Sequence, residues 1–220
     1  MIEVRSFTFN PFQENTYLVI NGKRQCFIID PGCYFANEQN ELVSAITSGG
    51  LKPVRLLNTH CHLDHIFGNN LVDKRFGLRP WMHSLERPLL DRSPEVGIMY
   101  NLPFAASPNP EGYLEDAETI DWDGTEIEVI LAPGHSPGGL CFYFPAEGIL
   151  LGGDVLFRES VGRTDLPGGD AEALERSIRQ RLYSLPEEVA VYPGHGPSTT
   201  IAHEKRYRSE ERRVGKECKS

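Results

Sequence analysis

Residues 59–65 read Thr-His-Cys-His-Leu-Asp-His and place four metal-binding side chains, His60, His62, Asp64 and His65, within six consecutive positions. Imidazole nitrogen and carboxylate oxygen are the donors that borderline divalent ions accept. A polar loop that is merely rich in histidine is the competing reading, but this composition is rarely met without a metal. The heptad follows Val54–Asn58, an apolar run that reads as a buried strand. The donors therefore sit on a loop leaving the carboxyl end of a strand. Alternation along an extended loop points His60, His62 and Asp64 one way, with Cys61 and Leu63 the other. Cys61 is thus assigned to packing rather than ligation, and His65 opens a helix predicted over Ile66–Gly77.

Three further strand-like runs end in glycine-containing turns that each deliver one donor. Ile127–Leu131 leads into Pro133-Gly134-His135, Gly148–Leu151 into Gly152-Gly153-Asp154, and Val189–Tyr192 into Pro193-Gly194-His195. Strands lying side by side would bring these donors to one edge. Seven donors exceed the needs of a single four-coordinate ion, whereas two ions sharing a bridging carboxylate use them all.

This ordered set resembles the metallo-β-lactamase superfamily. Gly153-Asp154-Val155-Leu156-Phe157, followed by the string from Gly162 to Gly169 (G-R-T-D-L-P-G-G), resembles its glyoxalase II-like hydrolases, and the likeness runs from about residue 1 to Tyr207. The resemblance implies an α/β fold, a four-layer αβ/βα sandwich with the metal site at one edge of the two sheets. It puts His60, His62 and His135 on one ion, Asp64, His65 and His195 on a second, and Asp154 between them. The expected cofactors are two divalent transition-metal ions, zinc first, with iron and manganese accepting the same donors. Two such ions generate hydroxide at neutral pH and polarise a carbonyl. Asp154 then holds the pair and Asp64 orients the nucleophile. The implied substrate is a thioester such as S-lactoylglutathione.

Asp30, in Asp30-Pro31-Gly32, is either a turn residue or a partner holding one of the ligands from beneath the metal loop. Longer glutathione-using relatives carry a G-K-F-Y string and a helical carboxyl-terminal segment. Here Arg163 and Asp165 stand at the lysine and tyrosine positions and the chain stops soon after His195, so a glutathione site is not expected in that form. Arg163 either binds a substrate carboxylate or pairs with Asp165. Other functions compatible with the donors are a mononuclear iron oxidoreductase resembling persulfide dioxygenases, and a lactone or other ester hydrolase. A purely structural metal site would be closed and mostly cysteine.

The 220 residues carry no internal repeat or low-complexity linker and are 40% hydrophobic, sufficient for a sizeable core. A net charge of −9 disfavours nucleic acid as a partner. The first residues lack a signal-peptide pattern, and no apolar stretch is long enough for a bilayer. Five cysteines, odd in number and without C-x-x-C, suggest a reduced, cytoplasmic protein. Oligomeric state is not legible. Residues 1–207 are expected to form one hydrolase domain. Residues 208–220 resemble a translated sequencing adapter, a non-native charged tail.

Turn signals place the remaining elements. Asn21-Gly22 joins Thr16–Ile20 and Gln25–Ile29 in a hairpin. Asn37 is expected to cap a helix to Ser48, with Leu42, Val43 and Ile46 on its apolar face, and Asp170 to cap one carrying Leu174, Ile178 and Leu182. Between Ser84 and Gly112, five prolines are expected to break any long helix and leave a loop that acts as a lid. His83 and His203 follow no strand-to-turn unit and read as bystanders on the surface or behind the ligands.

Overall fold

In the computed structural model, which describes residues 2–207, two six-stranded sheets face one another. The first holds, in spatial order, β1 (Glu3–Phe9), β2 (Glu14–Ile20), β3 (Gln25–Ile29), β4 (Lys52–Leu57), β5 (Pro80–Met82) and β6 (Gly112–Tyr113). Its early strands pair antiparallel and those from β3 onward pair parallel. In the second, β7 (Thr119–Trp122), β8 (Thr125–Leu131), β9 (Leu140–Phe144) and β10 (Ile149–Gly153) form a meander. After a small ribbon of β11 (Leu156–Phe157) and β12 (Ser160–Val161), β13 (Ala190–Pro193) adds parallel to β10, and β14 (Thr199–Thr200) closes the edge. The predicted hairpin is present, with Asn21 and Gly22 in its turn.

Alternation divides each strand between two cores. From β2, Tyr17 and Val19 point between the sheets and meet Trp122, Val129, Phe142 and Leu151, while Leu18 and Ile20 point outward. The outward face of the first sheet is covered by α1 (Ala36–Thr47) and by α3 (Asn69–Phe76), through Leu42, Ile46 and Val72. The outward face of the second is covered by α5 (Ala171–Arg176) and the wider π-helical turn Ser177–Leu182, through Leu174, Ile178 and Leu182. Helix, sheet, sheet and helix make the expected four layers. β2, β3 and β10, covered on both faces, carry apolar runs, which is why they were visible in the sequence.

Several local expectations need correction. The predicted helix over Ile66–Gly77 is two: α2 (Leu63–Ile66) and α3, separated where Gly68 packs against Pro31 and Cys33 too closely for a side chain. Asn37 is not the cap of α1. Its amino end is held by Glu38, whose carboxylate accepts from the backbone of Asn10, Tyr34 and Phe35. Val43 is only partly buried, unlike Leu42 and Ile46. Asp170 does cap α5, accepting from Ala173 N at 2.9 Å.

The largest correction concerns residues 84–112, which hold a 13-residue helix, α4 (Arg87–Met99). Pro88 sits in its first turn, where no hydrogen bond is lost. Pro94 lies inside and cannot donate to the Leu90 carbonyl four residues earlier. Ser93 Oγ donates to that carbonyl instead, at 2.7 Å. A short helical piece, α6 (Ile201–Tyr207), ends the described chain, and the tail 208–220 lies outside the described residues. No helix among the described residues is long and apolar enough to cross a membrane.

Candidate metal centre

The four donor-bearing turns leave strands in both sheets, not neighbours in one. β4 belongs to the first sheet; β8, β10 and β13 belong to the second. The donors meet because both sheets end at the same edge and are stitched together there. Leu140 N donates to Thr59 O at 2.8 Å, Asn15 N to Gly194 O at 2.7 Å, and the Tyr17 hydroxyl to Pro193 O at 2.6 Å.

The seven donors form two groups. Ligand atoms of His60, His62 and His135 lie within 4.8 Å of one another, and so do those of Asp64, His65 and His195. Asp154 touches both: Oδ2 is 3.4 Å from His135 Nε2 and 3.5 Å from His195 Nε2, and Oδ1 is 3.5 Å from His65 Nε2. Asp64 Oδ2 lies 3.3 Å from His195 Nε2. The extended alternation ends at His62, so Asp64 faces the site from the helical turn of α2, beside His65.

Four of the five imidazoles are aimed from behind, while the fifth, His62, has its Nδ1 2.8 Å from His135 Nε2. His135 Nδ1 donates to the Arg163 carbonyl at 2.8 Å and His195 Nδ1 to that of Phe12 at 3.1 Å. Asp30 accepts from Thr59 N, Thr59 Oγ1 and His65 Nδ1, at 2.7, 2.5 and 3.1 Å. Thr59 Oγ1, having donated to Asp30, accepts from His60 Nδ1 at 3.1 Å. These bonds fix the tautomers that leave the Nε2 lone pairs of His60, His65, His135 and His195 for a cation. Asp30 therefore supports two of the histidines, and it does so from a left-handed backbone position, φ 47°. A third possible grouping, Asp30 with His60 and His65, has its Asp30 oxygens already engaged.

The electrostatics differ between the groups. Burial and neighbouring imidazoles push His60 well below the usual histidine range, and His62 down to about 4. Burial also lowers His135. Neutral imidazole is the metal-binding form. At the other group burial opposes charge on His65 and His195, but Asp154 and Asp64 outweigh it and raise both. Burial likewise works against Asp154 and Asp64, and the imidazoles, His65 foremost, hold both below the usual carboxylate range.

The residues fit a metal pair by a direct criterion. Nε2 of His60, His62 and His65 and Oδ1 of Asp154 are buried without a hydrogen-bond partner. Leaving such atoms unbonded costs about 1–3 kcal/mol each, and all four belong to the donor set. Imidazole and carboxylate together suit zinc, iron or manganese. A cavity of about 550 Å³ opens above the donors, with His62, Asp64, His135, Asp154 and His195 in its lining.

Two carboxylates that hold the site had escaped the sequence reading. Glu86, fully buried, accepts from Cys61 N at 2.8 Å and Gly138 N at 2.7 Å and so ties the β4 loop to the loop carrying His135. Burial raises its carboxyl. Glu14 is buried behind His65, with Oε1 4.0 Å from Nδ1, and burial pushes it well above the usual carboxylate range. A carboxylate just ahead of the strand run Thr16–Ile20 was its only sequence sign; Glu86 had none.

Other expectations resolve simply. Cys61 is buried, its Sγ 3.3 Å from Met82 Sδ, and burial pushes its thiol well up, as packing requires. Arg163 lines the cavity, but its guanidinium pairs with Asp165 through two contacts of 2.7 Å. His83 is buried and accepts from Leu85 N at 3.2 Å, so it is not a surface residue. His203 pairs with Glu159 at 3.0 Å, away from the donors. The expected lid segment supplies, through α4, one wall of the cavity.

Residues 9–195 match the family model described as the metallo-beta-lactamase superfamily. A probable metallo-hydrolase of Streptococcus pyogenes is 40% identical over 87% of this chain and 83% of its own length. A hydroxyacylglutathione hydrolase of Haemophilus influenzae is 34% identical over 89% of this chain and 91% of its own. Among solved structures, a protein crystallised in a di-iron-bound form is 38% identical, with a TM-score of 0.83 over 92% of this chain and 98% of that one.

Proposed function

The chain belongs to the metallo-beta-lactamase superfamily, and on that premise we propose that it is a dinuclear metal hydrolase acting on thioesters. The carrying observation is Asp154, whose carboxylate touches both histidine groups, Oδ2 reaching His135 of one and His195 of the other, and Oδ1 reaching His65. His60, His62 and His135 would hold one ion, Asp64, His65 and His195 the other, with Asp154 shared. When bound, the ions supply hydroxide at neutral pH and Lewis acidity toward a carbonyl. The protein's own share is positional. Asp30 and Thr59 fix His60 and His65, the carbonyls of Arg163 and Phe12 fix His135 and His195, and Asp64 is placed to orient the nucleophile.

A thioester suits this machinery because its carbonyl is activated and its thiolate leaves without a strong general acid. The relative named for hydroxyacylglutathione hydrolysis supports the choice, and the cavity is of small-molecule size. S-lactoylglutathione is the first substrate to test, with low dependence on the glutathione part because the Arg163 guanidinium is engaged by Asp165. We read residues 1–207 as one catalytic domain. The four described cysteines are free, which fits a reducing compartment such as the cytoplasm.

The test is elemental analysis of metal-replete protein together with thioester hydrolysis. Two ions per chain and turnover of S-lactoylglutathione are expected. One iron per chain with oxygen uptake would replace this reading by the mononuclear oxidoreductase, and turnover confined to lactones would replace the substrate class.

A further inference from the structure

The wall contributed by α4 is built on one face. Leu89, Arg92, Ser93, Val96, Met99 and Tyr100 line the cavity, and their spacing of three, four and seven residues is that of a single helical stripe. Five of the six are apolar, aromatic or small; Arg92 alone carries charge. The rest of the lining includes side chains such as Phe12, Phe157 and Leu166. The lining therefore has an apolar body, a donor-rich floor and two arginines. The guanidinium of Arg163 is already neutralised by Asp165. Arg92 is exposed and, among the described residues, has no ion-pair or hydrogen-bond partner.

An arginine standing on an apolar stripe that lines a cavity, with its donors unspent, is placed to receive an oxyanion. The protein as a whole carries a net charge of −9, so long-range attraction would not bring an anion there and recognition has to be local. We propose that Arg92 binds a terminal oxyanion, carboxylate or phosphate, on the thiol part of the substrate. The substrate is then a thioester with an apolar middle and an anionic end, seated between α4 and the metal-facing donors. This assignment rests on the thioester reading above and narrows it to a substrate class.

The experiment separates the two. S-Benzyl-N-acetylcysteine, a thioether that cannot be hydrolysed, is titrated calorimetrically into metal-loaded protein. Its carboxamide and S-benzyl-phosphopantetheine are titrated alongside, and the series is repeated with Arg92→Leu and Arg92→Lys. A single exposed charge-assisted contact is modest, so the carboxylate should bind about fivefold more tightly than the amide. Arg92→Leu should erase that preference while leaving amide affinity within twofold, and Arg92→Lys should keep part of it. A preference for the phosphate arm alone would identify phosphopantetheine-type thiols, and for the carboxylate arm alone amino-acid or peptide thiols. Equal affinities in the wild-type protein, equal losses for both ligands in Arg92→Leu, or no binding of any of the three would overturn the proposal. If the preference holds but the matching thioesters are not hydrolysed, Arg92 keeps its role and the thioester reading fails.

Discussion

Replacing Glu86 by glutamine tests whether the metal centre depends on a carboxylate that touches none of its ligand atoms. Glu86 accepts two backbone N–H groups, at 2.8 Å from Cys61 and 2.7 Å from Gly138, on the two loops that carry His60, His62 and His135. Hydrogen bonds to a charged acceptor contribute about 1.5–3 kcal/mol each. Glutamine keeps one carbonyl oxygen and turns an amide NH₂ against the other N–H, so one bond is lost and one buried donor is stranded. Burial already raises the Glu86 carboxyl, and relief of that desolvation offsets part of the loss. The net cost should be about 2–3 kcal/mol. In a domain of this size each kcal/mol lowers Tm by about 2–4 °C, so thermal unfolding followed by circular dichroism should show a fall of about 4–12 °C. Metal content after dialysis against a weak chelator supplies the second readout. The His60, His62 and His135 group spans the two tethered loops, so its ion should be lost first. A Tm within about 1 °C of wild type with both ions retained would show that the two loops are held by other means.

The Asp154→Asn variant should lose metal and hydrolysis together, because the carboxylate faces both histidine groups; full activity with two ions bound would show the bridge to be misassigned. Gly194 has no room for a side chain, since a Cβ there would overlap the Asp154 carboxylate and crowd His65. Gly194→Ala should therefore cut metal content at least tenfold while the far-ultraviolet spectrum stays native, and retention of both ions would refute the packing argument. In steady-state kinetics, S-lactoylglutathione should turn over with a high KM, comparably to thioesters of simpler thiols. A glutathione preference above about a hundredfold, roughly 2.7 kcal/mol of transition-state binding, would reveal a glutathione site beyond the Arg163–Asp165 pair.

The sequence by itself named the seven candidate donors and the family. Donor identity is a property of residue type, and each donor stands directly after an apolar run and, beyond the first, a glycine turn, so local order sufficed for His60, His62, His135, Asp154 and His195. Six strands, β2, β3, β4, β8, β10 and β13, were equally legible as largely apolar runs bounded by turns, and the other eight described strands went unread. What the tertiary structure decided is everything that depends on residues distant in the chain. Nothing local states that β4 lies in one sheet and β8, β10 and β13 in the other. Nothing local states that Asp64 reaches the site from a helical turn. Nor does it place Glu86 under two loops 25 and 52 residues away. The helix through Pro94 was missed for the same reason. Proline removes a donor in any context, whereas Ser93 bonding the Leu90 carbonyl, and Gly97 packing against Leu102 and Phe104, exist only once the chain is folded.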